Sequence, residues 1–269
     1  YKQIGDYDKA IGMYELFIKE YGSDAKLKET KNGDKKKGIE PNQKDYDERV
    51  KYLKQAYGDL ADAYVLFFDY RRAAGTYDKM SNISHFDAPY KRTAAQNAVF
   101  LYANIGDRAK VESTKQRFFS MTPPPTSAER SELEWMIAHA DVKEWDERSP
   151  DRGDNSAKRQ TAISSMESYH RKWRADAQAS KYTVQAAYYV AKMYRAGKDN
   201  SNYARWCTTT RKDFDTYKGV AGNNEKGRNK ALGSLQADMA AECHFREVDE
   251  EIKKKFDYDS GFHRYKGVI

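Results

Sequence analysis

The chain has 269 residues, of which 39% are apolar, 33% charged and 13% aromatic, with 21 tyrosines and a formal net charge of +7. No stretch approaches the roughly 18 to 20 consecutive apolar residues that span a bilayer, and no basic segment followed by an apolar run opens the chain, which excludes a membrane-spanning segment and a secretory leader from the residues shown. So low an apolar fraction implies a core spread thinly. With only 6 Pro and 16 Gly, several bunched at junctions, the long intervals between them suit helices.

In chain order, the first element is a repeated pattern. Tyr1 to Ala10, followed by Gly12, Tyr14 and Phe17, aligns without gaps to Tyr64 to Ala73, followed by Gly75, Tyr77 and Met80. The shared core is D-Y-x-x-A-x-G-x-Y. A weaker copy runs from Tyr102 through Ile105, Gly106 and Asp107 to Phe118, with Val111 in place of the alanine and Lys115 in place of the second tyrosine. Gly5 and Gly106 suit a left-handed residue that closes a helix, and Asp6, Asp69 and Asp107 suit the cap of the next. Ala10 and Ala73 allow two helices to approach, while Tyr14 and Tyr77, one turn on, fill the gap beside them.

The lysine-rich stretch 26–37, KLKETKNGDKKK, is nearly free of apolar residues and reads as a solvated loop within an insertion over 23–45. A nucleic-acid, lipopolysaccharide or membrane contact is the alternative for this charge. No RNA- or DNA-binding signature accompanies it, so nucleic acid is not an expected partner. Pro41 and Asp45 precede a helix expected near Tyr46.

Beyond Pro123-Pro124-Pro125 the pattern fades but helical periodicity continues. A helix is expected over 128–145 with a cap at Ser127, its partner through Ile163, Met166, Tyr169, His170 and Trp173, then helices over 182–193, 202–217 and about 228–256. Tyr1 falls inside a helix, and the last residues, 261–269, begin another, so both ends read as cut within a repeat. Cys207 and Cys243 lack the paired spacing of a zinc or redox site. They read as small buried hydrophobes, as a disulfide between neighbouring helices, or as reactive thiols.

Local devices of catalysis are missing: there is no G-x-S-x-G, no P-loop, no G-x-G-x-x-G and no H-E-x-x-H. The five histidines are not at ligand spacing, and the carboxylate groupings (Glu132 with Glu134, Asp141 with Glu144, Glu247 to Glu251) each have a Lys or Arg within about a turn. The expectation is therefore a non-enzyme without cofactor or metal. An acid–base glycosidase would need an isolated glutamate in a cleft, and none stands apart from its ionic neighbours.

The D-Y-x-x-A-x-G-x-Y copies resemble the second half of a tetratricopeptide (TPR) unit, a helix-turn-helix repeat. The resemblance covers 1–23, 60–83 and 90–121. It implies an all-α solenoid of stacked antiparallel helix pairs forming a right-handed superhelix: the end of one unit over 1–22, the insertion over 23–45, two helix pairs over 46–121 and a divergent helical-repeat region over 122–269. It also implies a scaffold whose groove takes a peptide or partner domain. Because first helices of TPR units line that groove, Tyr64, Asn97, Tyr188 and Arg195 are the expected contact residues. The Tyr-rich units with basic insertions are similar to very large repeat proteins of Gram-negative envelopes, including gliding-motility machinery, which implies a periplasmic or envelope location, with a cytoplasmic one as the alternative. The competing expectation is a module that binds peptidoglycan or another cell-wall glycan through Tyr188, Tyr189, Tyr194, Tyr203 and Trp206.

Overall fold

The computed structural model describes residues 7–146, 155–176, 180–217 and 233–245. Their regular elements are all helices: α1 Tyr7–Tyr21, α2 Asp24–Asn32, α3 Gln43–Leu66, α4 Tyr70–Asn82, α5 Ala88–Asn104, α6 Arg108–Phe119, α7 Ser127–Asp146, α8 Ser156–Trp173, α9 Thr183–Ala196, α10 Asn200–Tyr217 and α11 at 233–245. Among the described residues no helix is long and apolar enough to cross a membrane. The chain forms two compact units, Tyr1–Pro125 and Thr126–Ile269. Residues 1–6, 261–269 and most of the expected helix over 228–256 lie outside the described residues, and with them Gly5 and Asp6.

In the first unit, α1 and α2 pack on α3, and packing then runs between neighbours in sequence: α3 on α4, α4 on α5 and α5 on α6. Small residues make these seams. Ala10, Ala61, Ala63, Ala73, Ala74, Ala94, Ala95 and Ala98 are all buried, so backbones approach closely and the core needs few large side chains. Ala73 and its counterpart Val111 occupy the position the repeat assigns to close packing. Leu27, Tyr46, Leu53, Met80 and Phe86 supply the bulk.

The lysine-rich stretch is not a plain loop, and this corrects the sequence expectation. Ser23 caps α2 by accepting from the Lys26 N–H at 3.2 Å, and Gly33, at φ 72°, ends it. A Cβ at Gly33 would lie 2.5 Å from the Ile39 carbonyl oxygen, so only glycine fits the return. One residue anchors the helix: Leu27 is 1% exposed within the α3 core cluster. A single apolar side chain in a run of charge is too weak a signal for periodicity to register. The lysines meanwhile are absorbed locally, Lys28 by Asp24 and Lys37 by Glu29, both at 2.6 Å.

The second unit packs α7 on α8, α8 on α9 and α9 on α10. Its helix α7 starts one residue earlier than expected, because Thr126 and not Ser127 is the cap. The Thr126 hydroxyl accepts from the Glu129 N–H at 3.2 Å while Glu129 accepts from the Thr126 N–H at 2.8 Å, a reciprocal capping box. The core here is aromatic, with Trp135 stacked on Tyr182 at 4.9 Å and on His139 at 5.1 Å. Cys207 of α10 and Cys243 of α11 form a disulfide, which selects one of the three readings left open by their spacing.

One turn recurs in both units. At the junctions α3–α4, α5–α6 and α9–α10, the N–H of Asp69, Asp107 and Asp199 donates to the carbonyl of Tyr64, Tyr102 and Tyr194, at 2.8, 2.9 and 3.0 Å. The residue before each aspartate is left-handed: Phe68 at φ 59°, Gly106 at 76° and Lys198 at 60°. Each aspartate then caps the next helix, its Oδ1 accepting from Arg72, Lys110 and Asn202 at 3.0, 3.2 and 3.0 Å. The capping role expected of Asp69 and Asp107 is therefore present, and Asp199 adds a copy that the sequence motif does not reveal.

Candidate functional site

The tyrosine of each repeated turn faces a carboxylate on an earlier helix. Tyr64 donates its hydroxyl to Glu15 of α1 at 2.5 Å, and Tyr194 donates to Glu167 of α8 at 3.0 Å. Burial and then the Glu15 hydrogen bond push the Tyr64 phenol up to about 12; burial and then Glu167 raise Tyr194. At the middle junction burial and the charge of Asp78 raise Tyr102. Asp78 stands nine residues after Asp69, as Glu15 does after Asp6. At the α3–α4 and α9–α10 junctions this tyrosine–carboxylate brace ties the second helix of one pair to the first helix of the next.

The three junctions differ in how the space beside the brace is filled. At the middle one, Thr114 donates to Asp78 at 3.1 Å and Arg117 is ion-paired with the same carboxylate. At the first, α1 and α4 flank an open groove of about 470 Å³ over α3, lined by Glu15, Lys19, Tyr64, Arg71, Arg72 and Lys79. Arg72 lies 4.8 Å from the Tyr64 ring and pairs with Asp69; Arg71 pairs with Asp107 at 3.1 Å. Lys19 and Lys79 are exposed and have no ion pair among the described residues.

The corresponding groove in the second unit, about 560 Å³, lies between α8 and α10 and is lined by Glu167, His170, Arg171, Arg174, Arg205 and Trp206. Beneath it Asp213, fully buried, accepts from His170 Nε2 at 2.5 Å and from Arg174 Nε at 2.7 Å. A buried carboxylate needs such donors, and here they fix the imidazole and one guanidinium at the groove wall. Position for position, Arg205 and Trp206 stand where the first unit has Gly75 and Thr76, six and seven residues after the capping aspartate.

A third cavity, about 560 Å³, includes Asp24, Lys28, Asp78, Lys79 and His85. Asp24 Oδ1 accepts from His85 Nε2 at 2.8 Å and from Ser84 Oγ at 2.9 Å, while the Tyr46 hydroxyl meets His85 Nδ1 at 3.0 Å. Its bond to Lys28, then that to Ser84, lowers Asp24 to about 2. In the chain Tyr46–His85–Asp24 the serine donates to the aspartate and not to the imidazole. Its effect is to fasten α2 to the turn before α5. Among the described residues no three His, Cys, Asp or Glu side chains converge to hold a metal.

The four residues expected to contact a partner fall in two separate units. Tyr64 is 3% exposed with its hydroxyl taken by Glu15. Asn97 is half-buried on α5. Tyr188, half-buried on α9, donates to Glu242 of α11, and Arg195 is exposed, 5.9 Å from the Tyr203 ring. Of the expected aromatic set, Tyr189 packs between Trp135 and His139, and Tyr194 serves the brace. Trp206 lines the groove between α8 and α10. Sequence reasoning missed Glu15, Glu167 and Asp213. The first was findable, since Glu15 and Asp78 stand at the same offset in two aligned copies; Asp213 carries no local signal.

Comparison with known proteins returns no match, whether with protein families, with curated protein sequences or with solved structures.

Proposed function

We propose that the chain is a TPR-like helical-repeat scaffold, its antiparallel pairs stacked as a right-handed solenoid, that binds a peptide or partner domain. The observation that carries this reading is the recurrence of one turn with a tyrosine–carboxylate brace in both units, beside grooves that two junctions leave open and the third fills with Arg117. Repeats that spend their tyrosines on bracing leave the groove walls free to vary, which is how such scaffolds acquire partners. In the first unit those walls are cationic, so an acidic segment is the fitting partner. The Cys207–Cys243 disulfide favours an oxidising compartment and hence the envelope location, within a motility or other surface assembly.

A photo-crosslinking residue at Lys79, introduced into the full chain in cells, tests the reading. The expected outcome is light-dependent capture of one defined envelope protein, lost when Lys19 on the opposite wall is reversed to Glu. Retention of cell-wall glycan with no protein captured would replace the scaffold with the glycan-binding module.

A further inference from the structure

We propose that the groove between α8 and α10 is a binding site for a phosphate monoester. Its walls present donors in excess of acceptors. Arg171 and Arg205 are exposed and have no ion pair among the described residues. Arg174 commits only its Nε to Asp213, which holds the side chain while leaving its terminal amino groups. The buried Trp206 Nε1–H has no acceptor among the described residues, although the residue lines the groove. The one carboxylate among its lining residues, Glu167, receives the Tyr194 hydroxyl.

An acceptor-rich dianion satisfies this set. Guanidinium groups bind phosphate oxygens in bidentate fashion and with charge assistance, so three of them match a phosphate monoester better than a lone carboxylate. At about 560 Å³ the cavity has room for the phosphate and part of the group that carries it. The comparison within the chain sharpens the point. The brace is the same in both units, yet the positions held by Gly75 and Thr76 in the first carry Arg205 and Trp206 in the second. Bracing requires neither of the latter, since the first unit braces without them.

All four tryptophans of the chain, at 135, 145, 173 and 206, belong to the second unit, so intrinsic fluorescence reports on it directly. The test titrates inorganic phosphate into the intact chain at constant ionic strength, with chloride as control, then repeats it with O-phosphoserine and glycerol phosphate to identify the carrier. A saturable change with phosphate and not chloride is expected, and Arg171→Gln with Arg205→Gln should weaken it at least about tenfold. Both arginines are exposed, and circular dichroism checks that the variant folds. No saturable change, or an unchanged affinity in the double variant, would overturn the site. Neither outcome depends on a protein partner, so the site and the scaffold reading stand or fall separately.

Discussion

The two units use one joint and two kinds of core. In the first, alanine seams bring helices together and a few large residues on α2, α3 and α4 fill what remains; in the second, Trp135, Tyr169, Tyr182 and Trp173 make the core, a disulfide ties α10 to α11, and a carboxylate is buried at Asp213. The turn and the tyrosine brace are nonetheless the same. The difference teaches that the joint sets the geometry of a helix pair while the filling between pairs is free to change, and that stability in the second unit is concentrated at a few polar and covalent points.

That contrast predicts unequal sensitivity. Asp213→Ala leaves His170 and Arg174 without their shared acceptor, and should cost the second unit about 3–5 kcal/mol in denaturant melts followed by tryptophan fluorescence. A loss below about 1 kcal/mol would mean that the buried carboxylate is not a keystone. Reducing the Cys207–Cys243 bond, which spans 36 residues, should cost about 4 kcal/mol on a chain-entropy basis, and Cys207→Ser should melt equally early with or without reductant.

The second unit should also respond to pH, through His139. Burial, then the charge of Lys143, lowers His139 from 6.5 to about 4, so the folded unit requires a neutral ring. Its stability is complete above about pH 6.5 and declines as pH falls toward 4, by roughly 2 kcal/mol after solvent screening is allowed for. His139→Phe, which keeps the stacking on Trp135, should flatten that decline; an unchanged slope would assign it elsewhere.

The smallest effect concerns the joint. Phe68 and Lys198 hold the left-handed position that Gly106 occupies at the third turn, and Phe68 is 77% exposed, so little packing is lost on replacing it. Phe68→Gly and Lys198→Gly should each stabilise by about 0.5–1 kcal/mol, read as a rise in Tm, because relief of strain exceeds the entropy glycine adds to the unfolded chain. A fall in Tm at either site would show that the side chain is held by its surroundings.

The helices were legible because their apolar periodicity and capping residues are local: Asp69, Asp107 and the Pro123–Pro125 break all mark boundaries that exist. What escaped depends on contacts distant in sequence. Leu27 draws a lysine-rich stretch into the core only because Leu53 and its neighbours in α3 receive it. The turn at Asp199 was hidden by Lys198 in place of glycine and Tyr203 in place of alanine, substitutions that the backbone tolerates and a pattern search does not. The grooves were less legible still, since Glu15 and Tyr64 are 49 residues apart and His170 and Asp213 are 43 apart.

The claim that one joint underlies both units is tested most directly by parallel double-mutant cycles on its two braces, Glu15→Gln with Tyr64→Phe and Glu167→Gln with Tyr194→Phe. The account predicts coupling energies of the same sign and about 1 kcal/mol in both. Coupling in the first brace and none in the second would contradict it, and would leave the second unit a helical domain without the repeat.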